Sequence, residues 1–291
     1  MERGLEKKIK KSKINPTIVT REIEDFVIKQ IVEAGATGGV LGLSGGIDST
    51  TVAYLAKRAF DRYNATIPDK SENVKQQKQQ QLGLYGLIMP AGDLNSDDTK
   101  DAISVAEELD IEYRIVDIEP ILQVRQQQNP KVFSQEYHRG NGASRERMVQ
   151  LYGEACDQEK LVLGTGNKDE DYGIKYFTKY GDGGVDISPL GNLSKRLVRE
   201  VARYIGVPEK RVNRMPTARL FPGQSDEGEL GYGYDIVEKV IEGFDQNFDR
   251  EQIQGITGYK LEVIDNIRYR HTSQKHKMRM PPVAEITLQY E

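Results

Sequence analysis

The sequence predicts an α/β fold in which a parallel β-sheet is covered by helices on both faces. Short apolar runs bounded by glycine or proline recur along the chain, and stretches with a helical spacing of apolar residues separate them. A glycine-rich turn follows the first of these runs directly. Strands that alternate with helices favour right-handed crossovers and parallel pairing.

Helices are predicted where apolar residues recur at intervals of three or four positions. The first such stretch places Ile23, Val27 and Ile31 on one face. Ser96 is a good N-cap, and the acids that follow it favour the first turn of a helix. The predicted helices span residues 20–32, about 47–60, 96–109 and about 143–156.

Strands are predicted at apolar runs that are too short for a helix. The run at residues 38–43 is bounded by glycines, and Pro90 closes the next one. Ile111, Tyr113 and Ile115 alternate with polar residues. The predicted strands span residues 38–43, 84–89, 111–115 and 161–163.

Composition excludes several classes of partner. The 291 residues carry a formal net charge of −4, so the molecule as a whole has no field that would attract nucleic acid. No apolar run has the length of a membrane span, and we expect no membrane association. The single cysteine, Cys156, excludes an internal disulfide and is typical of a cytoplasmic protein.

One large domain with two polar appendages accounts for the chain. Residues 1–19 are rich in lysine and are predicted to form a flexible basic tail. Residues 20–291 are predicted to form a single α/β domain. Within it, residues at about 61–81 are rich in Asn, Lys, Ser and Gln, and we interpret them as a solvent-exposed insertion.

The segment Ser44–Ser49 lies where the first strand passes into a helix, the edge at which parallel sheets bind ligands. Gly45 and Gly46 allow a close approach of the backbone, so that amide groups can converge on an anion. Asp48 repels a phosphate, and its presence indicates a bridging Mg²⁺. The segment has neither the Lys of a Walker loop nor a GxGxxG pattern.

This loop resembles the pyrophosphate-binding loop of the ATP pyrophosphatases, enzymes that split ATP between the α and β phosphates. The class includes NAD⁺ synthetases, GMP synthetases, asparagine synthetases and tRNA-thiolating enzymes. The resemblance implies a Rossmann-like fold of the adenine nucleotide alpha hydrolase type. The loop alone does not choose among the members.

Later segments resemble the NAD⁺ synthetase signature and cover roughly residues 20–282 of the chain. The matching stretches are Gly164–Glu170, Phe177–Asp186, Lys195, Pro216–Ala218, Gln224–Glu227, Glu229–Gly231 and His276-Lys277. This resemblance implies ATP-dependent amidation of deamido-NAD⁺ by ammonia, with AMP and pyrophosphate as products. It also implies Mg²⁺ as cofactor and a homodimer with substrate sites near the interface.

The resemblance assigns roles to individual residues. The implied ATP-binding residues are Gly42, Leu43, Ser44, Gly45, Gly46, Ile47, Asp48, Ser49, Thr165, Lys195 and Thr217. The implied contacts to deamido-NAD⁺ are Arg145, Lys179, Asp186, His276 and Lys277. Asp48 and Glu170 are the implied Mg²⁺ ligands, Lys195 would stabilise charge on the transferring phosphate, and Asp182 would hold ammonium and remove its proton.

Two positions depart from the family pattern. Ser144 stands where members commonly have alanine, and Met278 stands where they commonly have arginine. Free ammonia is the expected nitrogen source, because no further segment has the size of a glutaminase. Two alternatives are another amidating or thiolating ATP pyrophosphatase and a non-catalytic adenine-nucleotide sensor on the same fold.

Overall fold

The protein forms a four-stranded parallel sheet with helices around it, which confirms the predicted fold class. The computed structural model describes residues 8–67, 80–214, 228 and 230–288. The strands are β1 (Gly38–Gly42), β2 (Gly83–Ile88), β3 (Glu112–Ile115) and β4 (Leu161–Leu163), in the order β3-β2-β1-β4. Because β1 lies between β2 and β4, the loop that follows it is at the centre of the carboxyl edge.

Glycines allow the central strands to pack closely. Gly38 has a φ of 142° and pairs with Gly83, and a Cβ at Gly38 would lie 1.9 Å from the Gly83 carbonyl oxygen. Any other residue at position 38 would therefore separate β1 from β2.

Helices alternate with the strands along the chain and flank the sheet. They are α1 (Pro16–Glu33), α2 (Ile47–Asn64), α3 (Asp97–Glu108), α4 (Glu119–Gln128), α5 (Pro130–Phe133), α6 (Glu136–Asp157), α7 (Lys195–Tyr204) and α8 (Glu209–Val212), followed by the helices Tyr234–Asp245, Arg250–Thr257 and Leu261–Ser273. A π-helix spans Lys168–Ile174, and a short 3₁₀ turn spans Lys275–Met278. Within the described residues, no helix is long and apolar enough to cross a membrane.

Three apolar clusters form the core. The largest joins α1, α2, α3 and α7 to one face of the sheet, and its fully buried members include Leu55 and Phe60. A second cluster packs α4 and α6 against the opposite face, where Leu87 and Leu122 are fully buried. The third lies among the carboxyl-terminal helices and includes Ile174 of the π-helix. The π-helix is thereby fixed between the sheet edge and the last helices.

The first helix begins earlier than the sequence pattern predicts. Asn15 is its N-cap and accepts hydrogen bonds from the amides of Thr17 and Ile18, so the helix starts at Pro16. Ile9 is buried against the carboxyl-terminal helices. Residues 8–15 of the predicted tail therefore lie against the domain, and residues 1–7 are outside the described residues.

The predicted insertion is only partly described. Helix α2 continues through residues 61–64, and the side chain of Asn64 exchanges two hydrogen bonds with the backbone of Leu82. These bonds join the two ends of the segment across the base of β2. Residues 68–79 lie outside the described residues.

Candidate active site

The loop between β1 and α2 has the geometry of an anion-binding turn. Gly45 has a φ of +73°, and a Cβ there would lie 2.7 Å from the Asp98 carbonyl oxygen. The hydroxyls of Ser44 and Ser49 are 2.9 Å apart, and Ser49 also donates to the Gly46 carbonyl oxygen. Within the described residues no side chain caps α2, whose N-cap is Gly46, and amides at the start of a helix can bind an anion.

Arg214 holds this loop against helix α3. Its guanidinium donates to the Gly45 carbonyl oxygen at 3.1 Å and pairs with the carboxylates of Asp98 and Asp101. Sequence reasoning missed this residue because nothing local to position 214 indicates that it contacts position 45.

The buried ammonium group of Lys195 pairs with two carboxylates in the site. It is 3% exposed, and its Nζ lies 2.5 Å from Asp48 Oδ2 and 2.8 Å from Glu170 Oε1. Burial alone lowers the pKa of Lys195, but the two carboxylates more than offset this effect and the net shift is upward. The structure thus brings together three of the four predicted catalytic residues, and Lys195 remains a cation.

The loop after β4 positions these groups through its own side chains. Asn167 is fully buried; its Nδ2 donates to Asp48 Oδ1 at 3.2 Å, and its Oδ1 accepts from the amides of Asp169 and Glu170. Asp169 Oδ2 accepts from the backbone amide of Lys195 at 2.8 Å. Asn167 and Asp169 thus hold Asp48, Glu170 and Lys195 in place. The sequence pattern did not single out either residue.

Two acids of the π-helix have shifted pKa values. Burial raises the pKa of Asp169 to about 7, although the hydrogen bond from Lys195 opposes the shift. Burial and the carboxylates of Asp182, Glu170 and Asp48 raise the pKa of Asp171 well above its usual range. Carboxyl groups that hold a proton near neutral pH are frequent in catalytic clefts.

Two carboxylate oxygens converge on one point in this site. Asp48 Oδ2 and Glu170 Oε1 both contact the Lys195 ammonium, so a cation already lies between them. Hard oxygens in this arrangement suit Mg²⁺ when phosphate oxygens and water complete its coordination. Among the described residues no group of three or more metal-ligating side chains is found.

Asp182 lies in an exposed loop and is held by helix α6. Its Oδ1 accepts from the Ser144 hydroxyl at 2.6 Å and from the Thr178 amide at 3.0 Å. The amide of Asp182 in turn donates to the Ser144 hydroxyl at 2.9 Å. Ser144 thus contacts both the backbone and the carboxylate of Asp182.

A cavity of about 470 Å³ lies next to this loop. It brings together four of the five residues predicted to bind deamido-NAD⁺, namely Arg145, Lys179, His276 and Lys277, and aromatic side chains including Phe133 and Phe177 also line it. Lys179 donates to the His276 carbonyl oxygen, and burial lowers the pKa of Lys277. Cations and aromatic rings around one cavity suit an anionic aromatic ligand.

Three other predicted residues do not belong to the lining of this cavity: Asp186, predicted to contact deamido-NAD⁺, and Thr165 and Thr217, predicted to bind ATP. Asp186 accepts a hydrogen bond from the Tyr152 hydroxyl through Oδ1 and from the Val162 amide through Oδ2, so both of its oxygens are used by the fold. Thr165 is half-buried after β4. Thr217 is outside the described residues. The roles of these three residues stay predictions.

Comparisons with known proteins identify the family of this chain. The sequence profile of the NAD synthase family matches residues 19–281. The NH₃-dependent NAD⁺ synthetase of Archaeoglobus fulgidus is 39% identical over 92% of this chain and 96% of that protein. Among solved structures, the NMN synthetase of Francisella tularensis superimposes with a TM-score of 0.76 at 28% identity, covering 94% of this chain and 100% of that one. The NH₃-dependent NAD synthetase of Campylobacter jejuni superimposes with a TM-score of 0.72 at 26% identity, with the same coverage. The chain therefore belongs to the NAD synthase family.

Proposed function

We propose that this protein converts deamido-NAD⁺ to NAD⁺ by ATP-dependent amidation with ammonia. The observation that carries the proposal is the buried Lys195, held between Asp48 and Glu170 beside the glycine loop that follows β1. A protein that only senses a nucleotide has no need for a buried cation at this place. Relatives named NH₃-dependent NAD⁺ synthetase, with 36–39% identity, support the same reaction.

The first step activates the substrate. A carboxylate resists attack by a nucleophile because it is negatively charged and stabilised by resonance. Transfer of AMP from ATP to a carboxylate oxygen removes both obstacles and releases pyrophosphate, which the loop Ser44–Ser49 would hold. Lys195 would stabilise the charge that develops on the α phosphate.

Mg²⁺ is the cofactor that we propose for this step. Asp48 and Glu170 would hold it together with the phosphates of ATP. When bound, the ion would neutralise phosphate charge and polarise the bond that breaks.

The second step forms the amide. The nitrogen of ammonia bonds to the acyl carbon as the bond from that carbon to the AMP oxygen breaks, and the nitrogen then loses one proton to solvent to give the neutral amide. Ammonia is mostly protonated near neutral pH, so one proton must leave ammonium before attack. We propose that Asp182, whose Oδ1 is fixed by Ser144 and Thr178, binds ammonium and takes this proton through Oδ2.

The acid that is amidated would lie in the cavity beside Asp182. Arg145, Lys179 and Lys277 supply positive charge for its phosphates. A second candidate substrate is nicotinate mononucleotide, which gains support from the structural similarity to the NMN synthetase of Francisella tularensis. Both substrates carry the nicotinate carboxylate that reacts, and only deamido-NAD⁺ has an adenylate half.

Assembly and location complete the proposal. We propose a homodimer with substrate sites near the interface, on the basis of the family resemblance. We propose a cytoplasmic location, which fits the single cysteine of the chain.

Pyrophosphate release provides the test. Purified protein with ATP, Mg²⁺, ammonium and deamido-NAD⁺ should release pyrophosphate and form NAD⁺, and a parallel reaction should contain nicotinate mononucleotide instead. Asp48→Asn and Glu170→Gln should each lose most of the activity at ordinary Mg²⁺ while unfolding at a similar temperature. If the protein binds ATP but releases no pyrophosphate with either deamido-NAD⁺ or nicotinate mononucleotide, the sensor alternative would be favoured.

A further inference from the structure

The contact between Ser144 and Asp182 joins two elements that are far apart in the sequence. Ser144 is buried on helix α6, and Asp182 is exposed in the loop after the π-helix. The hydroxyl donates to Asp182 Oδ1 at 2.6 Å and accepts from the Asp182 amide at 2.9 Å. One side chain therefore fixes both the backbone and the carboxylate of the same residue.

The two oxygens of Asp182 have different environments. Oδ1 accepts hydrogen bonds from Ser144 and from the Thr178 amide. Within the described part of the chain, no hydrogen bond reaches Oδ2. Since the first oxygen is fixed by two donors, the plane of the carboxylate is fixed and Oδ2 is left for a ligand.

The surroundings leave little freedom for this arrangement to change. A Cβ at Gly181 would lie 2.2 Å from the Ser144 hydroxyl oxygen and 3.0 Å from Thr178 Cβ. The loop backbone thus lies directly against helix α6.

We propose that Ser144 is a positioning residue that orients Asp182 for the amination step. The inference rests on the proposed function, because it takes Asp182 as the residue that binds ammonium. Without the hydroxyl, Oδ1 keeps only the Thr178 amide and the carboxylate can rotate. Ammonium binding then weakens, while adenylation proceeds unchanged at a separate group of residues.

The experiment measures the two steps separately in Ser144→Ala. Rapid-quench assays with labelled ATP follow the acyl-adenylate and the amide, and steady-state assays give KM for ammonium and for ATP. We expect KM for ammonium to rise about tenfold, the typical effect of a lost hydrogen bond to a charged group. We expect KM for ATP and the rate of adenylate formation to be unchanged. At alkaline pH the deficit should shrink, because more of the nitrogen source is already free ammonia.

A matched control is Ser134→Ala, which removes an exposed hydroxyl from the turn after α5 and should leave every constant unchanged. Asp182→Asn and the double variant complete a cycle. If Ser144 acts through Asp182, the double variant is no slower in amination than Asp182→Asn alone.

The outcomes separate this inference from the proposed function. Wild-type kinetics in Ser144→Ala together with defective amination in Asp182→Asn would overturn the role of Ser144 alone. Normal amination in Asp182→Asn would overturn the ammonium role of Asp182 itself. Equal loss of both steps in Ser144→Ala, with a lower unfolding temperature, would show that Ser144 only stabilises the fold.

Discussion

The buried carboxyl of Asp169 makes stability depend on pH. Burial raises its pKa to about 7, and an ordinary aspartate has a pKa of about 3.9. The stability associated with this group is complete below about pH 4, where the carboxyl is protonated in both states, and is lost as the pH rises to about 7. The difference between the two pKa values corresponds to about 4 kcal/mol. Between about pH 5 and pH 8, the free energy of unfolding should fall by about 2–3 kcal/mol on account of Asp169.

Asp169→Asn tests this reasoning, because an amide does not ionise and its oxygen can still accept the hydrogen bond from Lys195. Urea unfolding across that pH range should give a flatter profile for the variant and a higher stability than wild type at about pH 8. Asp157→Asn, at the exposed end of α6, is the control and should follow the wild-type profile. A variant that loses stability equally at every pH would refute the argument, since it would show that the carboxylate is favourable where it lies.

Three further predictions concern the phosphate loop and the insertion. Gly45→Ala should weaken ATP binding about tenfold or more in calorimetric titration, because a Cβ would lie 2.7 Å from the Asp98 carbonyl oxygen at a positive φ, and unchanged affinity would contradict the loop geometry. Arg214→Gln should weaken ATP binding most at low salt, because it removes a positive charge that pairs with Asp98 and Asp101 next to the loop Ser44–Ser49, and a salt-independent effect would point to backbone distortion instead. Replacing residues 68–79 with a short Gly/Ser linker should change the free energy of unfolding by less than about 1 kcal/mol in urea titration, and a non-cooperative transition would show that the segment has a structural role.

The sheet and the phosphate loop could be predicted because local patterns determine them. Strand β1 is too short and too apolar to be anything but a buried strand, and glycines follow it where the backbone must turn. The carboxyl ends of parallel strands share one edge, and the loops after β1 and after β4 are neighbours because these two strands pair. The proximity of Asp48 and Glu170 was predicted from the family resemblance, since the sequence pattern does not indicate which strands pair.

Other features depend on contacts that no local pattern reveals. The π-helix Lys168–Ile174 is stabilised by burial of Ile174 against the carboxyl-terminal helices, and its sequence has no periodicity that distinguishes it from an α-helix. Arg214 contacts Gly45 across a separation of 169 residues, which no local pattern indicates. Asp186 was predicted from resemblance alone, and the resemblance does not say that Tyr152 and Val162 use both of its oxygens.

Lys195 is held at both ends, by its backbone amide and by its ammonium group. Asp169 fixes the first and the Asp48 and Glu170 carboxylates fix the second, so one residue closes a ring of contacts between α2, the π-helix and α7. The ordering of this long side chain is therefore completed during folding rather than during binding. The Lys195 side chain therefore loses little further conformational entropy when a nucleotide binds. The favourable interaction between its ammonium group and the phosphates is not offset by the cost of ordering the side chain.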